Sequence, residues 1–534
     1  MIKQLLSHRS NSVTGGAIII AAFTVLSTIF GILRDALLAS KLGTSGGLDV
    51  YYAAFRIPDF LYNIFILGAI SAGFIPVFTS YLHRSKEEAS KLFTSILFLF
   101  GIVVGLLALI LIIFAKPLLS IFLAGFSPEK IALAVSLTRL MMIQPLLLGL
   151  SSIIGSVLQV HRMFLINALA PVMYNLGIIT GILVFYPLIG LAGLAYGVIL
   201  GAFLNLIVQI PSFLGLKFQL RFRLRDSIDG MRKMIFIMIP RTLSILINQG
   251  YLLILTFVAS YLKEGSIAVF NLANNIQNFP QSIFALSFTV AAFPLLSQLY
   301  AKGEKGEYVN VLNSTIRQIL FFMLPIVCFF MVFRAQIVRL LLGYGRFDWH
   351  ATIDTIDVLA IFILGMVFQS LINLLIRAFF GQEDSFRPFM AALFAYGLGA
   401  ILCFILGIFV GVRGLAWAFV LANFLYCSLL IILLRRKLSN WSIRSLLKPI
   451  SLMLVSAIVA GLVGYLMLYV VNIFVTTHKV FGIFIQAFVS GFVALLVYVA
   501  LAQYFKIEEM KNIKEAIAKR FKNGKEIKSI EPNL

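Results

Sequence analysis

Long apolar segments dominate the chain, and they restrict it to one class of fold. Each is about 20 residues or more, enough for a helix to cross a hydrocarbon core about 30 Å thick. With 61% hydrophobic and 12% charged residues among 534, the chain is not a soluble globular protein. The sequence therefore predicts an all-α polytopic membrane protein with about 14 transmembrane helices. Their predicted limits are 14–39, 49–81, 92–115, 131–160, 164–186, 191–214, 234–262, 266–298, 312–333, 352–381, 388–411, 414–434, 449–472 and 480–504.

The basic residues are distributed unevenly between the two sets of predicted loops. Of 43 Lys and Arg residues, 30 fall on the N-terminal side of the membrane and nine on the opposite side. Because cytoplasmic loops carry the excess of positive charge, both termini are predicted to be cytoplasmic. This bias accounts for the net charge of +22, because basic residues near the membrane surface attract anionic lipid head groups. The charge therefore does not indicate a nucleic-acid partner.

The chain also resembles itself at an offset of roughly 220 residues. Arg56–Phe60 aligns with Asn275–Phe279, and Gly193–Tyr196 aligns with Gly414–Trp417. Both copies begin on the same side of the membrane, which predicts two six-helix lobes related by a parallel repeat, plus two extra C-terminal helices. The predicted domains are an N-terminal lobe (1–215), a C-terminal lobe (216–434), a basic linker with helices 13 and 14 (435–504), and a basic cytoplasmic tail (505–534).

Charged residues inside the predicted spans mark the candidate site. A charge in the bilayer core costs at least about 2.5–3.5 kcal/mol, so it usually faces a wet cavity and a partner. The embedded arginines are Arg34, Arg56, Arg139 and Arg241, all in the first half of the chain. The acids at similar depth are chiefly Asp35, Asp49 and Asp59. The excess of cations predicts a transporter for an anionic, phosphate-bearing substrate, because guanidinium groups bind phosphate oxygens bidentately.

Each of these residues also has a purely structural interpretation. Arg34 could pair with a neighbouring acid to fix the hairpin between helices 1 and 2. Arg56 precedes Asp59 by three residues, the spacing of an intrahelical ion pair. Arg139 could extend toward the membrane interface. Asp49 stands at a helix start, where an acid complements the helix dipole, so a capping role and a gating role remain open.

Two glycines in helix 2, Gly68 and Gly73, lie in a segment of small residues. Small residues allow close helix packing, and glycine also permits bending. Packing and a hinge for alternating access are equally compatible with this pattern.

No cofactor or catalytic centre is predicted from the sequence. A nucleotide-binding P-loop is missing, the three cysteines show no metal-ligand or CxxC spacing, and no nucleophile or acid/base constellation stands out. We therefore expect a non-enzymatic protein without metal or cofactor. Transport would be driven by the membrane potential or by an ion gradient.

Several motifs occur in the order found in one family. They are Phe30–Ala36, Leu48–Pro58, Phe74–Val77, Pro171–Asn175, Gly343–Phe347 and Asp384–Pro388. With these motifs the chain resembles the MurJ (MviN) lipid II flippases of the multidrug/oligosaccharidyl-lipid/polysaccharide exporter superfamily.

The resemblance implies an alternating-access flippase in the bacterial cytoplasmic membrane. It would move lipid II, an undecaprenyl-pyrophosphate-linked glycopeptide, from the inner to the outer leaflet for cell wall synthesis. The implied partners are lipid II, membrane lipids and cell-wall synthesis enzymes. The residues expected to bind the substrate are Arg34, Arg56, Arg241, Asp35 and Asp49.

The sequence departs from the family pattern at three positions. Thr28, Tyr62 and Asn275 stand where the resemblance leads one to expect arginine. An alternative substrate is therefore another polyprenyl-pyrophosphate-linked oligosaccharide. Two other hypotheses are an ion-coupled exporter of small drugs and a non-transporting scaffold for wall-synthesis enzymes.

Overall fold

A computed structural model describes residues 13–65, 71–218, 224–438, 441–476 and 479–515. These residues form helices joined by short turns. In the first half the helices are α1 Val13–Leu42, α2 Gly46–Tyr62, α3 Ser71–Arg84, α4 Lys86–Ile113, α5 Ala115–Phe122, α6 Pro128–Met141, α7 Ile143–Val160, α8 Phe164–Thr180, α9 Tyr186–Ile189, α10 Leu191–Ile207 and α11 Ile210–Gly215. In the second half they are α12 Leu224–Ser260, α13 Ser266–Pro280, α14 Leu286–Ala301, α15 Lys305–Leu342, α16 Trp349–Phe380, α17 Phe386–Val410, α18 Val412–Lys437, α19 Arg444–Phe474 and α20 Val480–Tyr504.

The predicted number of transmembrane helices is confirmed. Within the described residues, 13 helical segments are long and apolar enough to cross a membrane. The remaining predicted span, 49–81, corresponds to α2 and α3, which flank residues outside the described part of the chain. Pro58 and Pro76 lie inside these two helices. Pro280, the last residue of α13, is followed by a π-helical turn, Gln281–Ala285.

The chain divides into two compact units. The first contains Met1–Phe279, Leu341–Val358 and Ser385–Tyr426, and the second contains Pro280–Leu340, Leu359–Asp384 and Cys427–Leu534. The lobe boundaries at residues 215 and 434 stay a prediction.

Glycines bring two helices of the first unit into backbone contact. A Cβ atom on Gly177 of α8 would lie 2.2 Å from the Cα of Gly201 in α10. One on Gly181, the first residue of a π-helical turn (Gly181–Phe185) that follows α8, would lie 2.4 Å from the Cα of Gly197 in α10. No side chain larger than hydrogen fits at these distances. Helix α8 also packs against α1, and it thereby fixes the position of the embedded charges of α1.

A polar clasp in the first unit joins the start of α2, the start of α6 and the turn between α12 and α13. Lys130 Nζ lies 2.8 Å from Glu264 Oε2, and the backbone N–H of Gly46 donates to Glu264 Oε1 at 2.6 Å. These two bonds, the one from Lys130 first, lower the pKa of Glu264. The carboxylate is more than half exposed, so its contribution to stability is small.

In the second unit, α15 holds the segment that follows α20. Arg317 forms ion pairs of 2.8 Å with Glu508 and 2.9 Å with Glu509. Burial raises the pKa of Glu509, while Arg317 opposes the shift. The Tyr498 hydroxyl donates to the Phe321 carbonyl oxygen at 2.7 Å, which adds a second link between α20 and α15.

Candidate functional site

A cavity of about 400 Å³ lies within the first unit. Its walls come from α1, α2, α7, α8, α10 and α13. Three of the seven embedded charges that the sequence points to, Arg34, Arg56 and Asp59, line it. The polar and charged lining residues are Arg34, Tyr51, Tyr52, Arg56, Asp59, Tyr62, Gln144, Tyr174, Asn205, Asn271, Asn274 and Asn275.

Arg34 belongs to a hydrogen-bonded chain that crosses three helices. Its Nε donates to Asp35 Oδ1 at 2.9 Å, and its Nη1 donates to Asn175 Oδ1 of α8 at 3.3 Å. Asn275 of α13 donates to the other oxygen of Asp35 at 2.9 Å. The Asp35 side chain is 9% exposed and that of Arg34 is 24% exposed. Arg34 is therefore oriented by an acid while part of its guanidinium group remains accessible.

Arg56 is held by neutral groups from two other helices. Its Nε donates to Thr256 Oγ1 of α12 at 3.1 Å, and its Nη2 donates to Asn271 Oδ1 of α13 at 2.7 Å. Asp59 lines the same cavity, but within the described part of the chain it forms no ion pair with Arg56 or any other cation. The positive charge of Arg56 is therefore oriented without being neutralised by direct contact.

Asp49 occupies a different place. Its two carboxylate oxygens accept hydrogen bonds from the backbone N–H groups of Gly265 at 2.6 Å and Ala268 at 2.8 Å. This geometry caps the N-terminus of α13, where a negative charge complements the helix dipole. Asp49 is 3% exposed and does not line the cavity. Asp49 therefore caps α13 and not its own helix, α2, as its place at a helix start had suggested.

Four further residues singled out in the sequence lie outside the cavity or outside the described part of the chain. The side chain of Arg241 and the whole of Gly68 are not among the described residues. Gly73 is buried in α3. Arg139 is exposed, and its Nε donates to the carbonyl oxygen of Ile112 at the end of α4 at 3.1 Å. Arg139 thus has a structural partner remote from the site.

Sequence reasoning missed most of the neutral polar wall. Tyr52, Gln144, Tyr174 and Asn205 line the cavity, although none carries a charge that marks it within an apolar span. The only available signal was a polar side chain at membrane depth, and many such residues instead bond to their own helix. Tyr62 and Asn275 were singled out as departures from the family pattern, and both face the cavity.

The charge balance of the cavity determines what it can bind. Arg34 is paired with Asp35, so Arg56 and Asp59 supply one further charge of each sign. Arginine N–H groups in a site shielded from water bind phosphate oxygens strongly. The amide and phenol groups can donate to and accept from hydroxyl and amide groups of a ligand. The arrangement suits a ligand with both an anionic part and a neutral polar part.

Comparison with known families identifies the chain. The sequence profile of the family described as "Lipid II flippase MurJ" matches residues 38–507. This range covers most of the chain and every residue that lines the cavity except Arg34. The chain belongs to the lipid II flippase MurJ family. The resemblance inferred from the sequence motifs is thereby confirmed.

Individual members of the MurJ family are similar over most of their length. The probable lipid II flippase MurJ of Buchnera aphidicola subsp. Schizaphis graminum is 31% identical over 370 residues, which cover 68% of this chain and 72% of the relative. That of Buchnera aphidicola subsp. Acyrthosiphon pisum is 29% identical over 486 residues, covering 88% and 94%. The lipid II flippase MurJ of Burkholderia cenocepacia is 27% identical over 387 residues, covering 70% and 74%.

Two solved structures show the same fold as this chain. A structure titled "Lipid II flippase MurJ, inward closed conformation" superposes with a TM-score of 0.74 at 24% identity, covering 91% of this chain and 98% of the other. An inward-facing multidrug resistance MATE family transporter of the MOP superfamily gives 0.67 at 17% identity, covering 80% and 98%. These likenesses confirm the predicted polytopic helical fold.

Proposed function

We propose that the chain is a flippase that moves lipid II from the inner to the outer leaflet of the bacterial cytoplasmic membrane. The observation that carries this proposal is the cavity in which Arg34 and Arg56 present guanidinium groups inside a membrane-spanning unit. Membership of the MurJ family supports the identity of the substrate. Membrane lipids and cell-wall synthesis enzymes are the expected partners.

In this proposal the two arginines bind the pyrophosphate of the substrate. Arg34 is oriented by Asp35 and Asn175, and Arg56 by Thr256 and Asn271. Because these partners fix the guanidinium groups before the ligand arrives, little side-chain entropy is lost on binding. Alternating access would then expose the occupied cavity to the opposite leaflet. Asp49 would act on this step indirectly, through the position of α13.

The membrane potential is a sufficient driving force for this direction of transport. Moving an anion outward from a negative cytoplasm is favourable by about 2.3 kcal/mol per charge per 100 mV. An ion gradient is the alternative source, and no cofactor or enzymatic step is needed. In the proposed orientation both termini are cytoplasmic, on the side of the loops rich in Lys and Arg.

A second candidate substrate is another polyprenyl-pyrophosphate-linked oligosaccharide. Tyr62 and Asn275, which stand where the resemblance leads one to expect arginine, both line the cavity. Fewer cations and more neutral hydrogen-bonding groups would change the recognition of the glycan while leaving the pyrophosphate site in place.

Complementation separates these candidates. The chain is expressed in a bacterium depleted of its own lipid II flippase, and growth and the appearance of labelled lipid II in the outer leaflet are measured. We expect rescue by the wild-type chain, loss of rescue by Arg56→Gln, and retention by Arg139→Gln, since Arg139 does not line the cavity and donates a hydrogen bond to Ile112 of α4. Failure of a well-expressed wild-type chain to rescue would favour the second substrate.

A further inference from the structure

Pro58 interrupts the backbone hydrogen bonding of α2. Proline has no N–H group, so in a helix the carbonyl oxygen four residues earlier loses its donor. For Pro58 that oxygen belongs to Ala54, and both residues are buried. Inside a membrane-spanning unit no water replaces the missing donor, and an unpaired carbonyl group there is costly. The turn of α2 between these two residues therefore needs a donor from another part of the chain.

Thr138 of α6 supplies that donor. Its hydroxyl group donates to the carbonyl oxygen of Ala54 at 3.0 Å, and Thr138 is fully buried. A threonine hydroxyl group inside a helix commonly bonds to the carbonyl oxygen four residues earlier in its own helix, as those of Thr94, Thr180 and Thr315 do. Thr138 instead bonds to another helix, at the carbonyl oxygen that a proline has deprived of its helical donor.

The same arrangement occurs in the second unit. Pro325 lies inside α15 and leaves the carbonyl oxygen of Phe321 without its helical donor. The hydroxyl group of Tyr498, on α20, donates to that oxygen at 2.7 Å, and both residues are buried. In each unit a hydroxyl group from another helix thus compensates for an embedded proline, which is how transmembrane helices tolerate this residue.

The turn of α2 that Thr138 contacts also carries Arg56. Ala54 and Pro58 are four residues apart, so they share one face of α2, and α2 packs against α6. Arg56 is two residues from each of them, about 200° around the helix axis, and it faces the cavity on the opposite side. One turn of the helix is therefore fastened to α6 on one face and presents a guanidinium group on the other.

We propose that Thr138 is a positioning residue for transport, because its hydroxyl group fixes the turn of α2 from which Arg56 extends into the cavity. This inference rests on the proposed function, in which Arg56 binds the substrate. Thr138 does not line the cavity, so it acts on the ligand only through α2. Without the hydroxyl group the Ala54 carbonyl group turns toward another donor, the backbone shifts, and Arg56 loses its alignment with Thr256 and Asn271.

The test is a double-mutant cycle on the affinity for lipid II. Full-length chains that carry Thr138→Val, Arg56→Gln or both are titrated with lipid II in one detergent. Valine has nearly the volume of threonine but no hydroxyl group. We expect Thr138→Val alone to weaken binding at least about 5-fold, and to change it less than about 2-fold when Arg56→Gln is already present. The effect disappears because there is no longer a guanidinium group to position.

Three further variants make the result specific. Thr138→Ser keeps the donor and should retain the wild-type affinity. Thr315→Val removes a buried hydroxyl group that bonds within its own helix and should leave the affinity unchanged. Pro58→Ala returns a backbone N–H group that can donate to Ala54. In that background Thr138→Val should lower the thermal unfolding temperature, measured without ligand, less than it does in the wild type.

The outcomes separate the positioning role from the proposed function. If Thr138→Val weakens binding by the same factor with and without Arg56, or lowers the unfolding temperature and leaves the affinity unchanged, Thr138 only supports the fold and the positioning role is refuted. If the wild-type chain does not bind lipid II, the proposed function fails and the positioning role fails with it. The thermal unfolding comparison with Pro58→Ala needs no ligand, and equal effects in both backgrounds would show that the hydroxyl group does not replace the missing donor.

Discussion

The ion pair between Arg34 and Asp35 provides a way to separate substrate binding from structural support. Arg34→Met removes the cation and leaves Asp35, whose side chain is 9% exposed, with the amide of Asn275 as its remaining partner among the described residues. Removing one member of a buried ion pair costs about 3–5 kcal/mol. Because the Arg34 side chain is 24% exposed, water compensates part of this loss. We therefore expect a decrease near the lower limit, about 3 kcal/mol.

The double variant Arg34→Met/Asp35→Asn removes both charges together. Its free energy of unfolding should return to within about 1 kcal/mol of the wild type, since replacing a whole buried pair is often neutral. Denaturant titration in one detergent measures the stabilities, and translocation of labelled lipid II in proteoliposomes measures the activity. If Arg34 contacts the substrate, the double variant is stable but inactive. A double variant that regains both stability and transport would show that Arg34 only supports the fold.

The other predictions concern the packing and the polar contacts around the site. Gly177→Ala should destabilise the first unit by at least about 1–3 kcal/mol, because its Cβ would overlap the backbone of α10. Gly101→Ala is the control: Gly101 has open space around it, so the substitution should be neutral or stabilising. Thermal unfolding of the two variants tests this difference. The hydrogen bond from Lys130 lowers the pKa of Glu264, so its contribution to stability is present at neutral pH and is lost as the pH falls through and below the ordinary pKa of a glutamate. Glu264→Gln should abolish that acid-side loss and cost at most about 1 kcal/mol at pH 7, and an unchanged pH profile would contradict the assignment. Arg317→Met should expose the segment after α20 to proteolysis and faster hydrogen exchange, and an unchanged protection pattern would argue against this contact.

The sequence was sufficient to predict the membrane-spanning helices because hydrophobicity over 20 residues is a strong and local signal. It also located the first unit as the place of the embedded charges, since Arg34 and Arg56 face one cavity. The π-helical turn at Gln281–Ala285 was not predicted. In a π-helical turn the backbone hydrogen bonds join residues five apart and not four apart. The pattern of apolar side chains in the sequence gives no indication of that change.

The detailed partners of the charges were harder to predict. Arg56 and Asp59 have the spacing of an intrahelical pair, yet Arg56 binds Thr256 and Asn271, about 200 residues away in the chain. Such contacts depend on how helices are placed in three dimensions, and one sequence contains no direct record of that placement. Asp49 is a similar case: it stands in the first turn of α2, but its carboxylate accepts from the N-terminus of α13, a partner that its position in the sequence does not indicate.

The central claim is that the cavity arginines carry a lipid-linked pyrophosphate across the membrane. The most direct measurement is the initial rate at which purified chain, reconstituted into vesicles, moves fluorescent lipid II between leaflets. A membrane potential is imposed in either direction. The account predicts transport by the wild type, faster when the receiving side is positive, and loss of transport in Arg56→Gln but not in Arg139→Gln. Equal rates for wild type and Arg56→Gln would contradict it.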